Sequence, residues 1–245
     1  MSNLWLWCIV VFFAGYTINI TYITVFYHRA LAHQSIVLPK ILRKFVVFTG
    51  PWLTGIDPKA WACMHRLHHR YSDTKKDPHS PHHKGFFGIA LAQLESYNRV
   101  LKGLLTKKDF YTDIVSDLDF PIGWANRKGL WKIPYLVQLF IAGILAFASH
   151  PLLGIAYYIG IMSHPFQGWL VNSVAHYFGY RNFRTTDKSK NSTIVALLVA
   201  GEGYQNNHHR FPESPKFSMR WWEIDWGWGI CVCLRTLGLV KIRPN

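Results

Sequence analysis

The feature that most constrains this chain is where its charge is missing. Residues 1–27 contain no Lys, Arg, Asp or Glu, and residues 131–171 contain one, Lys132. The other 26 of 27 Lys and Arg, and all 13 acids, fall in residues 28–130 and 172–245. A water-soluble domain does not segregate charge in this way, whereas a membrane protein does. Charged residues reach only 16% of the 245, against 50% apolar and 16% aromatic. That is too apolar and aromatic for a disordered chain.

The uncharged run Leu4–Tyr27 has 24 residues. As a helix it is about 36 Å long, enough for a hydrocarbon core of about 30 Å. It lacks the basic leading segment of a signal peptide and is read as a span. Residues 132–148 and 152–171 are the second and third expected spans, with His150-Pro151 as the turn between them. The shorter apolar stretches 45–56, 193–201 and 226–240 are expected to lie at the membrane interface. The fold class expected is thus an all-α integral membrane protein with about three transmembrane helices and a helical cytosolic cap, in one domain over residues 1–245. The positive-inside rule places residues 28–130 and 172–245 in the cytoplasm. It also accounts for the +14 formal charge without nucleic acid as a partner. The four Cys form no CxxC pair and are read as small buried hydrophobes.

Thirteen His form an excess that needs a reason. Eight sit in four clusters: HRALAH with His28 and His33; HRLHH with His65, His68 and His69; NSVAH with Asn172 and His176; QNNHH with Gln205, His208 and His209. In a helix, positions i, i+3 and i+4 share a face, which suits all but the first cluster. His28 and His33 are i, i+5 and need a bend, a helix end or two metals. The expected hairpin of spans returns the chain to the side it left, so all four clusters can meet at one membrane surface. Neutral imidazole suits iron, copper, zinc and nickel, and eight His are enough for two ions. No carboxylate stands in register inside the clusters. An all-imidazole two-metal site beside a membrane points to iron and O2 chemistry on a lipid. His79, His82 and His83 lie in a Pro-rich polar loop and are expected to be solvated or to sit behind the ligands.

These boxes resemble those of the membrane fatty-acid desaturases, and most closely the acyl-CoA Δ9 (stearoyl-CoA type) branch. HRALAH, HRLHH, NSVAHYFGYR and GEGYQNNHHRFP match its motifs in order, with further likeness at YSDTKKDPHSP and WWEIDWGWGICVCLRTLGL. The resemblance covers roughly Tyr16 to Leu239. It implies a di-iron centre with His28, His33, His65, His68, His69, His176, His208 and His209 as ligands and Asn172 holding one metal through a water. Gln205 stands where the third box normally begins with His, and its part as ligand, supporting donor or lining residue stays open. Family members usually have four spans, against three here, and a family element containing His and Trp reads GIALAQL in this chain. The implied reaction is O2-dependent insertion of a cis double bond into a fatty acyl chain carried on CoA or a lipid. The alternative is hydroxylation or alkene-forming decarboxylation on the same scaffold. No flavin, NAD or haem motif is visible, so two electrons per turnover are expected from a ferredoxin- or cytochrome-like donor, which the basic cytoplasmic face would attract. The compact form leans toward a bacterial inner membrane rather than the endoplasmic reticulum.

Overall fold

The computed structural model describes residues 2–243, which are mostly helical. The chain opens with α1 (Ser2–Thr21), which continues without a break into a π-helical segment (Tyr22–Ala32). Together they contain the stretch Asn3–Ala32, the one helix among the described residues long and apolar enough to cross a membrane. A two-residue strand β1 (Ile36–Val37) leads to α2 (Lys40–Thr54), which carries Pro51 and ends at Gly55 with φ 76°. The box HRLHH rides on α3 (Pro58–Tyr71). Asp57 caps α3 by accepting from the backbone N–H of Lys59 (2.9 Å) and Ala60 (3.1 Å), with Pro58 pre-set at the first helical position. The short α4 (Pro81–Lys84) and the long α5 (Ile89–Leu105) follow, then the single turns α6 (Asp109–Thr112) and α7 (Trp124–Arg127).

The expected hairpin is present as α8 (Ile133–Ala148) and α9 (Pro151–Ile161). His150 caps α9 through Nδ1, which accepts from the Leu152 N–H at 3.2 Å. α8 matches the expected 132–148 to within one residue, whereas α9 stops well short of 171. At 16 and 11 residues they extend about 24 Å and 16 Å. The expected third span, 152–171, is not one helix. It breaks at Met162 and Ser163 and resumes as α10 (His164–Trp169), a π-helical turn (Leu170–Val174) and α11 (Ala175–Tyr177). Pro165 accounts for the break: it has no N–H to offer the Ile161 carbonyl and its ring would clash there, so α9 cannot run on, whereas the first turn of a new helix accommodates it. The cap is completed by α12 (Thr193–Leu198), α13 (Gln205–Arg210), α14 (Trp226–Thr236) and β2 (Lys241–Ile242), which pairs antiparallel with β1.

Glycines let the apolar helices touch. A Cβ on Gly160 would lie 2.3 Å from the Phe12 carbonyl oxygen of α1, and one on Gly154 would lie 2.3 Å from that of Ala142 in α8. Close backbone approach through small residues is how helices associate where lipid removes the hydrophobic drive. The outer faces expose large apolar side chains: Trp5 at 65%, Phe140 at 70% and Phe147 at 97%. Water does not tolerate a continuous patch of this kind, but a bilayer does. The main buried core sits instead in the cap, where Val25, Tyr27, Leu31, Ala60, Cys63, Leu67 and Val115 join the end of the first helix to α3 and the 113–115 turn. All four Cys are free; Cys63 and Cys231 are buried as expected, whereas Cys8 is half-buried and Cys233 is exposed.

Candidate metal centre

The eight His of the four clusters converge. His28, His33, His65, His69 and His208 place one ring nitrogen each within 4.8 Å of one another. His68, His176 and His209 do the same in a second group. The groups adjoin, with the His69 and His209 rings 4.5 Å apart.

Local backbone geometry explains the division. The i, i+5 spacing of His28 and His33 is solved by the π-helix, whose i→i+5 pattern ends with the His33 N–H donating to the His28 carbonyl at 3.0 Å. That brings the two rings to 4.9 Å. Single π-turns are frequent at functional sites, and a second one contains Asn172 just before His176. On α3, His65 and His69 share a face, whereas His68 is about 100° away from His69 and serves the other group. The adjacent His208 and His209 on α13 diverge for the same reason. Each HH pair therefore spans both groups.

A six-residue helix such as α13 has no stability of its own. Asn206 and Asn207, both fully buried, hold it in place. Asn206 Oδ1 accepts from the backbone N–H of Asn182 and Phe183. Asn207 accepts from Asn191 and donates to Glu223 and the Phe217 carbonyl. The NN of the QNNHH box thus fixes where its HH points.

Four carboxylates stand behind the imidazoles, and none was identified from the sequence. His28 Nδ1 donates to Glu202 at 2.7 Å, His68 Nδ1 to Asp77 at 3.0 Å and His209 Nδ1 to Asp187 at 3.1 Å. Asp73 lies 3.6 Å from His176 Nδ1, beyond hydrogen-bond length. A carboxylate on Nδ1 fixes the tautomer and turns the Nε2 lone pair toward the centre. Burial works to raise the Asp77 carboxyl, but the His68 imidazole outweighs it and brings it to about 2. Burial is likewise outweighed at Asp187, where His209 and Ser189 hold the carboxyl well below the usual range. Burial pushes His65, His69 and His208 well below the ordinary imidazole range, reinforced by the neighbouring rings. All three are therefore neutral, the state in which imidazole binds a metal.

The donor set fits a pair of cations. In the five-His group, Nε2 atoms face each other at 3.0 Å for His28 and His208, 2.9 Å for His208 and His69, and 2.8 Å for His33 and His65. With Nδ1 bonded to Glu202, His28 turns its Nε2 toward the centre. In the three-His group, Nε2 of His68, His176 and His209 is buried with no hydrogen-bond partner. Converging, desolvated lone pairs cost free energy unless a cation or proton lies among them.

The other expected residues are placed as follows. Asn172 is half-buried, and its amide donates to Gln93 Oε1 at 3.2 Å. Gln93 belongs to the GIALAQL stretch. Gln205 is buried, and its amide donates to the Glu202 carbonyl at 2.7 Å. His83 is exposed, as expected of the loop, but His79 is buried against His68 with ring centroids 4.7 Å apart. The loop folds under the second group because Asp77 must reach His68, and it carries His79 inward.

The fatty acid desaturase family model matches residues 3–226. The chain belongs to the fatty acid desaturase family. It is 34% identical to an acyl-CoA C20 Δ5-desaturase of Anemone leveillei over 88% of this chain and 67% of that protein. It is 32% identical to the Δ9 acyl-lipid desaturase 1 of Arabidopsis thaliana, over 91% of this chain and 71% of that protein. It is 35% identical to an sn-1 stearoyl-lipid 9-desaturase of Anabaena variabilis, over 89% and 76%. Some other relatives are covered over less than two thirds of their length, down to 59%. This desaturase is accordingly an oxidoreductase that acts on fatty acyl chains, in a membrane-associated family.

Proposed function

We propose that the chain introduces a cis double bond into a fatty acyl chain, Δ9-like in position, using O2 at two irons held by the eight histidines. The observation that carries this reading is the division of eight imidazoles into two adjoining groups with converging, unpartnered nitrogens. His28, His33, His65, His69 and His208 hold one iron; His68, His176 and His209 hold the other, with Asn172 acting through a water. Gln205 supports the backbone at Glu202, and its part in metal binding is left to experiment. The irons, when bound, supply the O2-dependent oxidation that removes two hydrogens from neighbouring methylenes.

The chain's own residues do the rest. Glu202, Asp77 and Asp187 accept the Nδ1 protons of His28, His68 and His209, which orients the rings and leaves Nε2 as the nitrogen that faces the metals. Trp61 stacks on His65 at 5.0 Å, with the planes 8° apart, and Phe217 lies 4.6 Å from His208. These aromatic walls exclude water from the five-His group, which protects a strong oxidant from side reactions. α1, α8 and α9 are proposed to enter the bilayer, with the cap on the cytoplasmic side of a bacterial inner membrane. The acyl chain arrives on CoA or a lipid, and electrons arrive from an external ferredoxin- or cytochrome-like protein. The whole of residues 1–245 acts as one domain in this reading.

Expression in a host lacking such an enzyme, with fatty acids profiled by gas chromatography–mass spectrometry, tests the proposal. A new mono-unsaturated acid is expected, absent from a His68→Ala control of equal membrane abundance. Hydroxylated acids or shortened alkenes would show a different oxidation on the same centre. An unchanged profile, with iron bound and a donor supplied, would overturn the desaturation reading.

A further inference from the structure

We propose that the cleft between α2 and the segment leading into α8 binds one anionic phospholipid by its headgroup phosphate. The cleft lies apart from the metal centre and has a volume of about 480 Å³. One wall is α2 and the other is formed by residues between 119 and 134. Four cations line it: Lys40, Arg43 and Lys44 from the first turns of α2, and Arg127 from α7. One carboxylate, Asp119, faces them, and Arg43 holds it at 2.6 Å. The lining therefore keeps a net positive charge carried by Lys40, Lys44 and Arg127.

The rest of the lining is of a different kind. Val47, Pro51, Ile122 and Pro134 make an apolar floor, and Trp52, Trp124 and Trp131 stand around it. Trp prefers the boundary between headgroups and hydrocarbon. Trp131 and Pro134 flank the start of α8, whose outer face continues upward through the exposed Leu136, Leu139 and Phe140. Phe48, 72% exposed, continues the other wall. A ligand that fills this site is anionic at one end and hydrocarbon at the other. A free anion would use only the cationic rim, and an uncharged lipid only the walls. An acidic protein segment would leave the apolar exit along α8 without use. A phospholipid with a net negative headgroup satisfies both halves, and basic residues at a membrane surface attract such lipids.

The site also touches the scaffold of the metal centre. Pro51 and Gly55 line the cleft, and Gly50, next to Pro51, admits the Tyr27 ring where any Cβ would collide with it. Tyr27 packs on Trp61 at 6.1 Å, and Trp61 stacks on His65. A lipid in the cleft would brace α2 behind the first histidine helix. The proposal does not depend on which oxidation the centre performs.

The test uses the full chain in phosphatidylcholine nanodiscs titrated with phosphatidylglycerol, with retained lipid counted by mass spectrometry after extraction. The expected result is saturation at one phosphatidylglycerol per chain, with half-saturation about 30-fold weaker in Lys44→Gln/Arg127→Gln, since each cation contributes roughly fivefold. The charge-matched control Lys102→Gln/Lys108→Gln, on exposed residues outside the cleft, should bind as the wild type does. If the double variant fails to fold, Lys44→Gln alone should show about a fivefold loss. Equal retention of phosphatidylcholine would overturn the proposal, as would undiminished binding by the cleft variants. So would full displacement by millimolar glycerol phosphate, which would mark a site for a free anion only.

Discussion

Replacing His69 by Ala is expected to lower desaturation by more than about 100-fold and to strip metal from the five-His group. His69 contributes one of five converging nitrogens, lies 2.9 Å from His208 Nε2 and also borders the second group through His209. Its loss leaves the remaining imidazoles of that group with an incomplete shell at the place where two groups meet. The effect should exceed the roughly 10–100-fold that follows when a carboxylate behind a ligand is removed, as in Asp77→Asn. Metal content and product yield, measured on the same preparation, check it. A His69→Ala protein with full metal and near-normal turnover would show that the five nitrogens are not a ligand set.

Arg29→Met is expected to destabilise the cap by about 3–5 kcal/mol, the cost of stranding buried charge. The Arg29 guanidinium is fully buried. It bonds Glu202 at 3.2 Å and Asp225 at 3.1 Å, donates to the Pro215 carbonyl at 2.8 Å and lies 3.8 Å above the Phe217 ring. Asp225 in turn accepts from the Phe217 and Trp228 backbone N–H groups, so the same pair fixes the start of α14. Without Arg29 two carboxylates remain in the interior, one of them the group that orients His28. A melting temperature lowered by about 10 °C is the expected reading for a chain of this length. Lys should rescue little, because a point charge cannot replace a fork that serves two carboxylates and a carbonyl. A variant that melts with the wild type would show that this network contributes nothing to stability.

The converging histidines are more legible in the sequence than the groups that support them. Eight His carried by short repeated spacings are legible because helical periodicity puts them side by side within each box. Their partition between two groups follows from the same helix geometry, since i and i+4 coincide while i and i+1 diverge. The HRALAH spacing was the visible anomaly, and the π-helix is its physical answer. The carboxylates were not legible. Glu202 reaches His28 across 174 residues and Asp187 reaches His209 across 22, distances at which no local period exists. Asp77 lies only nine residues after His68, yet it reads as an ordinary loop acid until the loop folds back. The hairpin at His150-Pro151 was foreseen from turn chemistry. The break at Met162 and Ser163 was missed because hydropathy stays high through Pro165, and apolarity alone does not report helix continuity.

The most direct measurement is the iron content of the purified wild-type chain, read by mass spectrometry of the metal against protein concentration. The arrangement of five and three converging imidazoles predicts two irons per chain, with Mössbauer signals from two unlike sites. One iron or none after reconstitution, in protein that is folded and monodisperse, would contradict the two-metal centre on which the proposed chemistry rests.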